Sequence, residues 1–181
     1  MNKAYQITDP NGLYFVTFTI VDWVDVFTRA AYRDTIIENL NFYHNQRGLR
    51  TYGYVVMTNH VHAILQQPEG NLSATIRDFK KMTARQIINL AKTEPESRRD
   101  WMLHRFEWNA AKRANVSDHQ VWIHNSHSEE ILKYWFFQQK LDYIHMNPVR
   151  AGWVNKPEDW RYSSASDLLL PTPMVPIYNW D

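Results

Sequence analysis

Read as a pattern of apolar and polar positions, the chain opens with a run of β-branched and aromatic residues, Leu13 to Val21 (LYFVTFTIV), set off by the turn Pro10-Asn11-Gly12. A short apolar run bounded by turn residues predicts a buried strand. From Thr28 to Gln46 the period changes: Tyr32, Ile36, Leu40 and Tyr43 recur at helical spacing, and Arg47-Gly48 supplies a stop. Arg50 to Met57 and His60 to Gln67 read as two further strands joined through Thr58-Asn59 as a short hairpin connection, with Pro68-Glu69-Gly70-Asn71 as the turn that follows.

Leu72 to about Lys92 carries the clearest amphipathic pattern, with Asn71 or Ser73 as its cap. Ile76, Phe79, Met82, Ile87 and Leu90 fall on one side, and Arg77, Lys80, Lys81 and Arg85 on the other. Residues 93–117 are polar without a clear period, although Trp101, Phe106 and Trp108 predict that the segment packs somewhere. Val121-Trp122-Ile123 is a short strand candidate. Glu129 to about Met146 reads as a second long helix, ended by Pro148 because the residue before a proline is pushed out of the helical region. Ala151 to Asp181 shows no strong pattern. Hairpin-connected strands with interspersed helices predict an α+β fold, an antiparallel sheet covered by helices on at least one face. With no internal repeat or linker, we expect one domain over residues 1–181, a core to about residue 152 followed by a C-terminal tail, 153–181.

Composition narrows the chemistry. The 181 residues contain eight Trp, ten Tyr and eight Phe, enough ring surface for a real core, and no Cys, which excludes thiol catalysis, a disulfide framework and a zinc ribbon. Only five Gly are present and none forms a phosphate loop, so dinucleotide-binding and P-loop folds are excluded. The longest stretch free of charged side chains, Thr51 to Pro68, holds Asn59, His60, His62, Gln66 and Gln67 and is unsuited to lipid. The first residues lack the apolar core of a signal peptide, so we expect a cytoplasmic protein without membrane contact. The net charge is only +1, yet half of the 20 Lys and Arg lie between residues 73 and 113. Such asymmetry points to a face for a polyanion, with a solvated helix as the plain alternative.

Two constellations carry chemistry. In His60-Val61-His62, positions two apart on a strand point the same way with Cα atoms roughly 6–7 Å apart, so two imidazoles can converge on one divalent ion. They can equally be two polar residues on a half-exposed strand. Tyr143 and Asn147 lie four apart on a helix and share a face. A tyrosine hydroxyl can attack phosphorus and hold it as an ester, and an Asn amide oxygen is a hard, neutral ligand for Mg²⁺ or Mn²⁺. Alternatively Asn147 caps the helix and Tyr143 merely packs its ring.

Thr58-Asn59-His60-Val61-His62 resembles the His-hydrophobic-His (HUH) motif of single-tyrosine transposases. The run Lys140-Leu141-Asp142-Tyr143-Ile144-His145-Met146-Asn147-Pro148-Val149-Arg150-Ala151-Gly152 resembles the tyrosine motif of their REP-associated branch, which carries Asn four residues after the tyrosine where mobile relatives usually carry Gln. Similarity extends to Tyr14-Phe15-Val16-Thr17-Phe18-Thr19, Phe79-Lys80-Lys81-Met82-Thr83 and Trp160-Arg161-Tyr162-Ser163-Ser164-Ala165, and is weakest over 93–128.

This resemblance implies a ferredoxin-like or RRM-like HUH palm. It also implies a metal-dependent endonuclease and strand transferase acting on single-stranded DNA beside a hairpin. His60, His62 and Asn147 would hold Mg²⁺ or Mn²⁺, and Tyr143 would be the nucleophile of a covalent 5′-phosphotyrosine intermediate. Arg77, Lys80, Lys81 and Arg85 would neutralise phosphates, with Trp101 or Trp108 stacking on unpaired bases. Mobile relatives act as dimers, and the REP-associated branch includes monomers. A phenol ordinarily titrates near pH 10, and no base is evident. His145 falls on another side of the helix from Tyr143, whereas His124 and His127 can approach. Two other readings stand beside this one: a hairpin-binding regulatory protein without catalysis, and a metal-dependent phosphohydrolase in which Tyr143 is structural.

Overall fold

The first strand is apolar on both sides, and both sides are covered. A computed structural model describes residues 6–112, 118–124 and 126–180. In chain order the elements are β1 (Leu13–Thr19), α1 (Ala30–Arg47), β2 (Arg50–Val56), β3 (His60–Gln66), α2 (Leu72–Thr93), α3 (Arg99–Ala111), β4 (His127–Glu130), α4 (Tyr134–Arg150) and α5 (Ser164–Asp167). The sheet is antiparallel in the order β2-β3-β1-β4. This is the β-α-β-β-α-β order of the ferredoxin-like arrangement, in agreement with the expected α+β sheet.

Tyr14, Val16 and Phe18 point to one face, where they join Tyr54, Val56, Val61 and Ala63 in the main core. That core is closed by Tyr32, Ile36 and Leu40 of α1, by Leu72, Phe79 and Ile87 of α2, and by Met102 and Phe106 of α3. Leu13 and Phe15 point to the other face and form a smaller cluster with Val55, Ile64, Ile131 and two residues of α4, Phe137 and Ile144. The face that a ferredoxin-like sheet leaves open is thus covered here by α4.

Local signals act where expected. Gly48, at φ 67, closes α1 while Leu49 N donates to Tyr43 O at 3.2 Å. Asn71 Oδ1 accepts from Ala74 N at 2.9 Å and starts α2. Met82, expected on the buried side of α2, is exposed, and Thr83 takes the core position instead. Its hydroxyl donates to Phe79 O and accepts from Trp122 Nε1, so a polar side chain is buried without loss.

Four expectations are corrected. β1 stops at Thr19 rather than Val21, because Asp22 and Trp23 turn the chain with φ 53 and 54. Val121 to Ile123 is a single bridge, Ile20 to Trp122, rather than a strand. The helix expected from Glu129 begins at Tyr134, since 127–130 pairs with the free edge of β1 and edge pairing outweighs the weak local preference of His-Ser-Glu-Glu. That helix also runs through Pro148 to Arg150, because a proline in the last turn removes only its own N–H donor. Residues 99–111, left without assignment above, form α3 with Met102, Phe106 and Ala110 inward. Arg113 and Ser117, the ends of the basic stretch and of the unassigned segment, lie outside the described residues, as do residues 1–5, 125 and 181.

The tail packs on the same body. Val56 N donates to Tyr162 O, Tyr178 N donates to Thr51 O, and Tyr162 and Val175 enter the main core, so the tail covers the β2 edge. Ser164 explains part of the Trp160–Ala165 motif: its hydroxyl accepts from Tyr54 N at 3.0 Å and bonds His145 Nε2 at 2.9 Å.

Candidate active site

Strand pairing sets the first half of the site. Thr17 of β1 stands opposite His62 of β3 on one side and His127 of β4 on the other, placing all three on the face covered by α4. His60, two residues before His62, shares that face, and the two imidazole centroids are 4.7 Å apart. α4 supplies the second half. Tyr143 lies with its ring edge-on to His62 at 5.2 Å and to Phe15 at 5.9 Å. One turn later, the Asn147 side chain comes up to His60 and acts on its titration. The sequence-predicted His60, His62, Tyr143 and Asn147 therefore converge, and they do so because the helix continues past Asn147.

α4 lies close over Gly53 of β2. A Cβ there would lie 2.5 Å from Leu141 Cδ1, so a larger residue would first have to displace the Leu141 side chain of the tyrosine-bearing helix.

The histidines are held neutral and oriented. Burial, with the nearby His60, Lys140 and His127, pushes His62 down to about 3. Burial likewise lowers His60, and the Asn147 side chain, an acceptor for the protonated ring, opposes this only in part. His60 Nδ1 lies 2.8 Å from Asn59 Oδ1; a carbonyl oxygen can only accept, so Nδ1 carries the proton and Nε2 keeps its lone pair. His62 Nδ1 is engaged by Thr17 Oγ1 at 2.9 Å, which fixes that ring too. Two neutral imidazoles and an amide at one point suit a divalent cation. Among the described residues no group of three His, Asp or Glu gathers to hold a metal ion.

Around this centre lie groups to which sequence reasoning gave no such contacts. The Arg150 guanidinium sits 5.6 Å from the centroid of the Tyr143 ring. Lys140 Nζ is 2.7 Å from Glu129 Oε1 and 4.5 Å above Phe15, while His127 Nε2 is 2.8 Å from the same carboxylate oxygen. Burial would raise Glu129, but Lys140 and His127 outweigh it and hold the carboxylate below its usual range. Trp23 stands edge-on to His60 at 6.1 Å, and 61% of its surface is exposed. Asn59 Nδ2 donates to Asp25 Oδ1 at 2.9 Å and to Trp23 O at 3.4 Å, so one amide ties the Trp23 turn to His60.

The candidate bases separate. His145 points to Ser164, away from Tyr143, whereas His127 shares the His62 row at a distance of about 10 Å across two strand spacings. His124 lies beyond the bridge at Trp122, in the segment to which Lys80 is tied.

The four basic residues of α2 are not brought to this centre. α2 packs on the opposite face of the sheet, where Arg77, Lys81 and Arg85 project outward. Lys80 departs from the expected phosphate-binding role. Its amine donates to Ile123 O at 2.7 Å and to His124 O at 3.0 Å, and burial pushes it down to about 8. It anchors the segment beside β1.

No protein-family model matches the chain. It is 27% identical over 163 residues to a provisionally named REP-associated tyrosine transposase of Haemophilus influenzae, covering 84% of this chain and 79% of that protein. It is 25% identical over 113 residues to the REP-associated tyrosine transposase of Escherichia coli K12, covering 61% of this chain and about half, 51%, of that protein. A solved REP-associated tyrosine transposase bound to a REP hairpin matches 100% of this chain and 93% of its own at a TM-score of 0.61 and 20% identity, a likeness that establishes the shared fold. The resemblance read from the motifs is therefore matched by sequence relatives and by fold. No helix among the described residues is long and apolar enough to cross a membrane.

Proposed function

We propose that this chain is a transposase-type enzyme that cuts and rejoins single-stranded DNA beside a hairpin, with Tyr143 as the nucleophile. The observation that carries the reading is the convergence, within one chain, of the Tyr143 ring with His62 at 5.2 Å and of His62 with His60 at 4.7 Å. His60, His62 and Asn147 would hold Mg²⁺ or Mn²⁺. Bound there, the cation supplies positive charge for the non-bridging oxygens of the scissile phosphate.

The chain's own residues do the rest. Packing against Phe15 and His62 fixes the Tyr143 ring, which orients its hydroxyl for in-line attack. Oη forms a bond to phosphorus and the bond from phosphorus to the 3′ oxygen breaks. The tyrosine proton leaves to solvent or a base, the 3′ oxygen takes one up, and the products are a 5′-phosphotyrosine and a free 3′-OH. Because the ester is stored in the protein, a second 3′-OH can attack it and rejoin the strand without nucleotide hydrolysis. Arg150, beside the ring, is placed to meet a phosphate. The enzyme would act as a monomer or a homodimer, in the cytoplasm. Outward Arg77, Lys81 and Arg85 would meet the hairpin duplex through its phosphates.

Incubation with Mn²⁺ and end-labelled hairpin oligonucleotides, followed by a denaturing gel, tests the reading. Label should migrate with the wild-type protein, and should not do so with Tyr143→Phe or with chelator. Cut DNA without an adduct would favour hydrolysis, and a native-gel shift with no cleavage would favour a binding protein.

A further inference from the structure

Two successive residues that are not glycine, Asp22 and Trp23, take left-handed backbone conformations at φ 53 and 54. For an indole this conformation is unfavourable, and it brings no burial in return, since Trp23 is 61% exposed. The turn is nevertheless clamped from both sides. Asn59, the residue that orients His60, donates to Trp23 O and Asp25 Oδ1. From the other side, Asn109 Nδ2 donates to Asp22 Oδ2 at 2.8 Å and Arg105 pairs with the same carboxylate oxygen at 3.8 Å. The result is an indole presented at the rim of the candidate centre and joined by Asp22 to α3.

α3 continues that surface. Its inward residues are Met102, Phe106 and Ala110, and its outward stripe is Trp101, Arg105 and Trp108, continued by Lys112 at the C-cap. Trp101 is 47% exposed and Trp108 55%. Arg105 lies 5.9 Å from the Trp101 ring centroid, and Lys112 lies 5.1 Å from that of Trp108. Seven residues of helix separate the two indoles by about 10 Å, roughly three base-stacking steps.

We propose that the unpaired strand of the DNA leaves the Tyr143 centre across Trp23 and runs along Trp101, Arg105, Trp108 and Lys112, a stacking track for single-stranded nucleic acid. This rests on the functional reading above and extends it by naming where the unpaired arm lies. Alternating indoles and cations fit that occupant. Every base offers a π face to an indole and every linkage offers a phosphate to a cation. A protein partner would call for a wide apolar patch with few charges, and here a cation follows each of the two indoles of α3. The outward basic row of α2 offers charge without rings, which suits duplex phosphates better than unpaired bases.

The test measures fluorescence anisotropy with two probes, a hairpin carrying an oligo(dT) arm and the same hairpin with blunt ends. Trp23→Ala, and separately the double variant Trp101→Ala/Trp108→Ala, should weaken binding of the armed hairpin about tenfold or more and leave the blunt hairpin unchanged. Trp23→Phe should retain most of the affinity. Trp23→Gly relieves the left-handed backbone, so it should melt no lower than the wild type and still lose the arm. An arm of abasic sugar-phosphate should bind the wild type as weakly as the intact arm binds the alanine variants. Unchanged affinity for the armed hairpin, or equal loss for armed and blunt, overturns the track. If the track variants form the Tyr143 adduct with unchanged KM, the track fails and the reading of the site stands. If they lose the arm selectively while the wild type never forms an adduct, the track stands and the nucleophilic reading fails.

Discussion

On one face of the sheet Tyr14, Val16 and Phe18 meet α1, α2 and α3 in a core of aromatic and branched side chains; on the other, Phe15 and Thr17 meet two histidines, a tyrosine and a salt-bridged carboxylate. The same strand serves both. Three helices seal the first face, and the second carries one helix and a smaller cluster, leaving Tyr143 39% exposed within reach of the buried His62 and the half-buried His60. The division shows how a small domain keeps polar groups poised without unfolding. Apolar burial is concentrated behind the sheet, and the reactive face is fixed by strand register and a few hydrogen bonds.

That division can be broken from either side. The largest effect should come from Tyr143→Phe, which removes one exposed oxygen. Covalent capture of DNA should vanish while the melting temperature shifts by no more than roughly 0.5 kcal/mol of stability allows. Phe79→Ala on the opposite face should do the reverse, costing about 3–5 kcal/mol in denaturant unfolding while adduct formation persists wherever the protein remains folded. Asn59→Ala should weaken Mn²⁺ binding roughly 10- to 100-fold by freeing the His60 ring, with the unfolding free energy moving far less than in Phe79→Ala.

Glu96 sharpens the comparison through pH. Its side chain is 2% exposed behind the sheet and is held by Arg98 and Arg29. Burial would raise the carboxyl, but Arg98 and Arg29 outweigh it, so the folded value lies below the ordinary 4.5. A depressed folded value means that the contribution is complete above the unfolded value and is lost as pH falls through the folded one. Thermal melts should therefore lose stability as pH drops below about 4.5, and Glu96→Gln should flatten that loss. The smallest effect belongs to the α2 row. Arg77→Ala, Lys81→Ala and Arg85→Ala should each lower the slope of log affinity against log salt by about 0.7–0.9 with little change in cleavage rate.

Much of this was legible in the sequence where the signal is local. The strand-helix-strand-strand-helix order, the hairpin at Thr58-Asn59 and the Asn71 cap follow from periodicity and turn chemistry within a few residues. His60, His62, Tyr143 and Asn147 were legible because spacings of two on a strand and four on a helix determine which side chains share a face. β4 was not, since His-Ser-Glu-Glu has no strand pattern and forms one only because β1 offers a free edge. α3 was obscured by its outward tryptophans. Lys80 was misread because the carbonyls it caps lie over 40 residues away, at Ile123 and His124. The roles of Asn59, Thr17 and Trp23 likewise arise from contacts between distant segments, and no residue pattern announces a left-handed tryptophan.

The central claim is the identity of the attacking atom. Trypsin cleavage after Lys140 and Arg150 isolates residues 141–150, a peptide with a single tyrosine, Tyr143. After reaction with a hairpin oligonucleotide and nuclease trimming, mass spectrometry should find that peptide heavier by a nucleotide phosphate esterified to Tyr143. A nucleotide on any other peptide, or cleaved DNA with every tyrosine unmodified, would contradict the account.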